Sequence, residues 1–189
     1  MSESLSGQME KACCTTPHIP ESCCITLIGM AGAGKSTVGR LVARSLNWAF
    51  ADSDHIIESV FAAPLQRVAD AMTKEAFIDL EAEIVSGLRL SRTVIATGGS
   101  VVYRHSTMQH LAAMGPIVYL NVPLKAILER IARNPDRGLA IAPGQTVEDL
   151  FREREELYRR YASISVSTFG ISPAESTRRV LEQLERLYA

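Results

Sequence analysis

The chain is predicted to fold as a three-layer α/β domain around a parallel sheet, and three observations predict it. Short apolar runs at 24–28, 93–97 and 117–122 lack polar alternation, as strands buried on both faces require. Stretches with helical spacing separate these runs, the pattern of strand–helix–strand units. The first run also passes directly into Gly29-Met30-Ala31-Gly32-Ala33-Gly34-Lys35-Ser36-Thr37, a glycine-rich turn at the mouth of a helical pattern.

Each element has its own signal. Cys24-Ile25-Thr26-Leu27-Ile28 is closed by Gly29, and Val38, Leu41, Val42 and Leu46 then recur at helical spacing. Phe77, Leu80, Ile84 and Leu88 mark a second helix face, and Leu124, Ile127, Leu128 and Ile131 a third. Thr93-Val94-Ile95-Ala96-Thr97 runs into Gly98-Gly99, and Ile117 to Val122 forms another strand. Residues 150–161 read as a charged helix and 173–187 as a closing one. Residues 1–22 are polar and follow neither period, so a loose tail is expected there, with 23–189 as one domain.

Composition bounds the function classes. The 189 residues are 47% hydrophobic and 22% charged, ordinary for one globular domain. Twenty basic residues against 21 acidic give a net charge of −1, which argues against nucleic acid or a membrane surface as partner. No 18-residue apolar stretch and no secretory signal are visible, so the cytoplasm is the expected compartment. A monomer working on a small molecule is expected. The cysteines form adjacent pairs, Cys13-Cys14 and Cys23-Cys24. Paired zinc thiolates are usually two to four residues apart, so Cys23 and Cys24 read as small apolar residues entering a strand. Trp48 and Phe50 read as core, and His55 as an exposed neighbour of the acidic residues beside it.

The glycine-rich turn carries the chemistry. Its glycines let backbone N–H groups wrap phosphate oxygens, and the following helix adds its positive dipole end. Gly32, Ala33, Gly34, Lys35, Ser36 and Thr37 are therefore candidate ATP-binding residues, with Lys35 for the outer phosphates and the Ser36 hydroxyl for Mg²⁺. Large motors need more chain, and no Asn-Lys-x-Asp guanine reader is present. A small-molecule or nucleoside phosphotransferase of P-loop NTPase fold is the remaining class. After the first helix, Asp52 and Asp54 stand at i and i+2, expected on the same side of a strand end. One can hold hydrated Mg²⁺, and the other can take or position a hydroxyl proton.

These pieces and several later ones, in this order, resemble the shikimate kinase family over residues 24–188. They are Gly32 to Thr37, Asp52-x-Asp54 with Ile57-Glu58, Phe77-x-x-x-Glu81, Ala96-Thr97-Gly98-Gly99, Arg130, Arg137-x-Leu139, and Arg154-x-x-Leu157-Tyr158 followed by Ala162. The resemblance implies a five-stranded parallel sheet of nucleoside-monophosphate-kinase type with a lid. It implies transfer of the ATP γ-phosphoryl to a ring hydroxyl of shikimate. By the same resemblance Asp52 helps hold Mg²⁺ and Asp54 contacts the acceptor hydroxyl. Gly98 and Gly99 offer backbone N–H groups to the acceptor, and Glu81 lies in its site. Arg130 lies near the adenine, Arg137 is the lid arginine on the γ-phosphate, and Arg154 holds the acceptor carboxylate.

Three positions depart from the family pattern. Ser100 replaces the third glycine of the Gly-Gly-Gly loop, and Gly138 replaces the lid proline. Ile78 replaces the arginine that follows the phenylalanine, one of two that grip the shikimate carboxylate. Losing one charge-assisted hydrogen bond costs about ten- to 150-fold in affinity. Asp54 and Glu81 then face Arg154, a balance suited to a substrate with one carboxylate and one ammonium, such as homoserine. Alternatively Ile78 packs in the core and Arg67 or Lys74 supplies the cation, and shikimate remains the acceptor. A non-catalytic nucleotide-binding relative is the rival of another class; the intact set of Lys35, Ser36, Asp52, Asp54 and Arg137 argues against it. A nucleoside-monophosphate kinase would need an arginine-rich acceptor pocket, and a gluconate-type kinase leaves Gly98-Gly99 and Arg154 unexplained.

Overall fold

The computed structural model describes residues 19–133, 141 and 144–189. Its described elements alternate from the start: β1 (Cys24–Ile28), α1 (Lys35–Leu46), β2 (Ala49–Asp52), α2 (Ser53–Phe61), α3 (Leu65–Asp70), α4 (Lys74–Gly87) and β3 (Thr93–Ala96). A single 3₁₀ turn (Val101–Tyr103) leads to α5 (His105–Met114), β4 (Ile117–Asn121), α6 (Leu124–Ala132), α7 (Val147–Tyr161), β5 (Ile164–Ser167) and α8 (Pro173–Tyr188). The strands form one five-stranded parallel sheet in the order β2-β3-β1-β4-β5. The expected fold class is therefore the observed one.

Burial explains the unalternating strands. All five residues of β1 and all four of β3 are buried, because helices cover both faces of the sheet centre. Cys24 is fully buried in this core and Cys23 half-buried. Trp48 and Phe50 pack against it from its margin. A smaller cluster of Ile57, Leu65, Val68 and Phe77 ties α2, α3 and α4 together beside the sheet.

Two sequence expectations change. Ile19, inside the stretch read as a loose tail, is buried in the main core, and Glu21 pairs with Arg92. An isolated isoleucine among polar residues carries no period, so pattern reading passes over it. The second change concerns Asp52 and Asp54, which do not share one strand. Asp52 ends β2, and its carboxylate caps α2 by accepting the Asp54 N–H at 3.2 Å. Asp54 stands in the first helical turn. An aspartate is a strong helix N-cap, and here that preference ends the strand early. Among the described residues, no helix is long and apolar enough to cross a membrane.

Candidate active site

The carboxyl ends of β1, β3 and β2, three neighbours in the sheet, deliver the glycine-rich turn, Gly98-Gly99 and Asp52 with Asp54 to one crevice. Open parallel sheets bind ligands at this edge. Gly32 (φ 83°) and Gly34 (φ 96°) adopt left-handed backbone, which lets the turn curl before α1 begins at Lys35. Lys35 is 8% exposed, and its ammonium donates to the carbonyls of Gly29 (2.7 Å) and Met30 (3.0 Å). Burial lowers its proton affinity, while the charges of Asp54 and Asp52 work against that loss.

A cavity of about 360 Å³ opens over this turn. Gly32, Gly34, Lys35, Ser36, Thr37, Asp54 and His55 line it; Asp52 does not. A second cavity of about 280 Å³ adjoins it, lined by Ala33, Arg130, Thr168 and Pro173 among others. Arg130 donates to the Gly32 carbonyl at 2.8 Å, so α6 is fastened to the turn. The crevice therefore has room on both sides of the turn, one side acidic and the other formed largely of backbone and small side chains. Arg137 lies outside the described residues.

Two helices place charges where apolar side chains belong. On α4 the buried residues are Phe77, Ile78, Glu81 and Val85, so Glu81 sits in the apolar stripe at i+4 from Phe77. On α7 the buried residues are Leu150, Phe151, Arg154 and Tyr158, and Arg154 holds the equivalent place. Glu81 is 1% exposed and Arg154 2%. Ser100 donates its hydroxyl to Glu81 Oε2, and Glu81 Oε1 has no partner. Arg154 Nε donates to the Tyr103 hydroxyl at 3.2 Å, and Arg154 Nη2 has none. Buried polar atoms are nearly always bonded, and leaving one unpaired costs about 1–3 kcal/mol. Two such atoms, of opposite charge, mark a place built for a ligand.

The glycine loop after β3 shows what fills the space. A Cβ on Gly98 would lie 2.0 Å from Glu81 Oε1 and 2.8 Å from Asp54 Oδ1; one on Gly99 would lie 2.8 Å from Arg154 Nη1. Glycine is needed at both places so that these charges can approach the backbone. The expected role of Gly98 changes here, because its N–H already donates to Ser53 Oγ at 2.9 Å and is not free for a ligand. A buried N–H requires a partner, and α2 brings Ser53 to it. The Gly99 carbonyl accepts the Tyr158 hydroxyl at 2.7 Å, and Tyr158 stacks on Tyr119 at 5.2 Å.

Desolvation dominates the electrostatics. It pushes the Asp54 carboxyl up to about 6, against the pull of Lys35. It pushes Glu81 up to about 7, helped by the charge of Asp54. A carboxyl tuned near neutrality is a usable proton acceptor. Of the alternative cations, Arg67 is exposed on α3. Lys74 lies over the Tyr103 ring at 5.5 Å, on the same ring that Arg154 faces at 5.2 Å, and donates to Gln145 Oε1.

Comparison with known proteins follows the same lines. The family model described as shikimate kinase matches residues 31–185. The chain belongs to the shikimate kinase family. It is 38% identical over 166 residues to the shikimate kinase of Pseudomonas paraeruginosa, covering 86% of this chain and 96% of that one. It is likewise 38% identical over 167 residues to that of Paracidovorax citrulli, covering 85% and 91%. Among solved structures it superposes on a shikimate kinase from Acinetobacter baumannii in complex with shikimate, with a TM-score of 0.80 and 30% identity over 92% of this chain and 95% of that one. The shikimate kinase from Aquifex aeolicus gives 0.73 at 30% identity, over 86% and 96%. As a shikimate-kinase-like protein, the chain is an ATP-dependent kinase with an alcohol group as acceptor. The shikimate-kinase part of the sequence reading is thus upheld, and neither the homoserine alternative nor the non-catalytic one finds support.

Four residues of the crevice carried no role in the sequence reading: Ser53, Ser100, Tyr103 and Tyr158. Ser100 was visible only as a missing glycine, and Tyr158 only as part of the family pattern. The bonds of Ser53 and Tyr103 cross 45 and 51 residues of chain, beyond any local spacing rule.

Proposed function

We propose that the chain phosphorylates a hydroxyl of a small carboxylate metabolite with MgATP, shikimate being the acceptor that its relatives' names give. One observation carries this reading. Arg154 is a guanidinium 2% exposed, with an unpartnered Nη2, beside the glycine loop of the nucleotide crevice. A buried cation of this kind calls for an anionic ligand, and a carboxylate matches its fork.

The residues divide the work. Gly32, Ala33, Gly34 and Thr37 hold the phosphates, with Arg130 on the adenine side and Arg137 as the arginine for the γ-phosphate. Lys35 exchanges its loop carbonyls for phosphate oxygens. The Ser36 hydroxyl, in the lining of the larger cavity, would hold Mg²⁺ brought with ATP, and the Asp52 carboxylate, which caps α2 from the end of β2, would reach it only through water; the ion would supply neutralisation of phosphate charge. No group of three or more His, Cys, Asp or Glu forms a metal cage among the described residues.

Arg154 fixes the acceptor carboxylate and Asp54 receives its hydroxyl. The acceptor oxygen bonds to the γ-phosphorus, the bond from that phosphorus to the bridging oxygen breaks, and ADP leaves. The hydroxyl proton passes to Asp54 and then to solvent. Catalysis here is positioning and charge neutralisation, with no covalent enzyme intermediate. The folded unit that does this reaches back to Ile19 in the main core, and its proposed setting is a monomer in the cytoplasm. ADP release from MgATP tests the reading. Release that depends on a hydroxy acid and is lost in Arg154→Met supports it, and release independent of any acceptor overturns it.

A further inference from the structure

Arg154 is the one cation so far given to the acceptor carboxylate. Its Nη1 faces Gly99 and its Nη2 is unpartnered. A carboxylate has about four lone-pair sites, and one edge of a guanidinium fills two of them. Ile78 brings no charge, being 3% exposed on the buried stripe of α4. Other cations of the crevice and its rim are engaged. Lys35 is turned onto Gly29 and Met30, and Arg130 onto Gly32. Arg104 is paired with Glu75 and Asp79.

Lys74 is placed differently. It begins α4, one helical turn before Ile78, so the two residues stack on one face of the helix. Its ammonium lies 5.5 Å from the centre of the Tyr103 ring, and the Arg154 guanidinium carbon lies 5.2 Å from the same centre. Arg154 Nε is also fastened to the Tyr103 hydroxyl at 3.2 Å. One ring thus gathers a cation from α4 and a cation from α7. Two like charges brought to one place repel until an anion joins them.

The partner of Lys74 leaves it available. Among the described residues it forms no ion pair. It donates to a neutral group, Gln145 Oε1, at 3.0 Å, and the Gln145 amide is aimed by donating to Glu153 Oε2 at 2.8 Å. A carboxylate is the stronger acceptor for an ammonium, and the flexible lysine stem lets the two be exchanged. A cation in the first turn of a helix opposes the helix dipole, so helix stability does not account for a lysine there.

We propose that Lys74 is the second cation of the acceptor carboxylate site, gripping one carboxylate oxygen while Arg154 holds the other, in place of the family arginine that Ile78 replaces. This deepens the reading above and rests on it. Tyr103 is the positioning residue, since its ring and hydroxyl set where the two cations stand.

The test measures MgATP-dependent ADP release by the full chain, with shikimate and ATP varied in turn. Lys74→Met is expected to raise the shikimate KM by about tenfold or more, the loss of one charge-assisted hydrogen bond, with kcat and the ATP KM nearly unchanged. Lys74→Arg keeps the charge and should keep most of the affinity. Ile78→Arg added to Lys74→Met should recover the shikimate KM, because it supplies a cation one turn along the same face; a lysine that served the fold alone would not be rescued this way. An unchanged shikimate KM in Lys74→Met, or a rise that neither arginine reverses, overturns the proposal and leaves the kinase reading standing. No shikimate-dependent release by the unaltered chain overturns both. Should Lys74→Met not fold, Lys74→Gln, which keeps a donor without the charge, decides in its place.

Discussion

Glu81 and Arg154 flank one pair of glycines, each buried and each with a polar atom left unbonded, yet they do not bond to each other. The fold keeps the two charges on separate helices, α4 and α7, and the glycine loop between them leaves the space. Adding a methyl group to that loop therefore probes the acceptor site directly. Gly99→Ala is expected to raise the acceptor KM at least tenfold with little change in the ATP KM, because its Cβ would crowd Arg154 Nη1. Steady-state kinetics with each substrate varied in turn checks this. Equal losses for both substrates would mean that the loop serves the nucleotide.

Asp54→Asn removes the proposed proton acceptor and little volume. The expected loss is about 10²- to 10⁴-fold in kcat, with ATP binding nearly unchanged. Single-turnover kinetics beside nucleotide titration separates the two effects. In the unaltered chain, kcat/KM should rise with pH through about 6, the value to which burial pushes Asp54.

Lys35→Met should abolish turnover, by more than about 100-fold, while circular dichroism stays that of the parent chain. The ammonium braces the turn through two carbonyls, so a modest fall in melting temperature is expected as well. Near-normal turnover would contradict the role given to the turn.

Stability should fall as pH rises through the window of about 4 to 7. Asp54 moves from 3.8 unfolded to about 6, and Glu81 from 4.5 to about 7. The folded chain therefore binds more protons than the unfolded one within that window, and the linkage relation gives a negative slope. The Glu81 share is on the order of 3 kcal/mol. Glu81→Gln should flatten the decline and melt above the parent chain at pH 8. An unchanged decline would mean that Glu81 titrates normally.

Ile78→Arg introduces a guanidinium one helical turn from Glu81, on the buried stripe of α4. It is expected to lower the shikimate KM and leave the ATP KM unchanged. Steady-state kinetics with shikimate varied checks this, and an unchanged shikimate KM would show that residue 78 does not reach the site.

The parts of this molecule legible in the sequence are those set by local rules. The β1 run, the Gly-Lys-Ser turn and the start of α1 at Lys35 follow from composition and spacing over a dozen residues. Glu81 and Arg154 were also within reach, since each is a charge at a core position of an amphipathic helix, a conflict that only a site justifies. The i, i+2 spacing of Asp52 and Asp54 points to one strand end, whereas the capping preference of aspartate ends β2 before Asp54. The Ser53–Gly98 bond was beyond reach, because only the packed sheet brings α2 against the loop after β3. Ile78 could be recognised as a departure, but its burial could not be read from the residues around it.

The measurement that tests the account most directly is ADP release from MgATP by the parent chain and by Arg154→Met, with the hydroxy acid concentration varied. The account predicts release that saturates with acceptor in the parent chain. In the variant it predicts an acceptor KM raised by about tenfold or more, with an ordinary ATP KM. Acceptor-dependent release that is unaltered by the loss of Arg154 would contradict it.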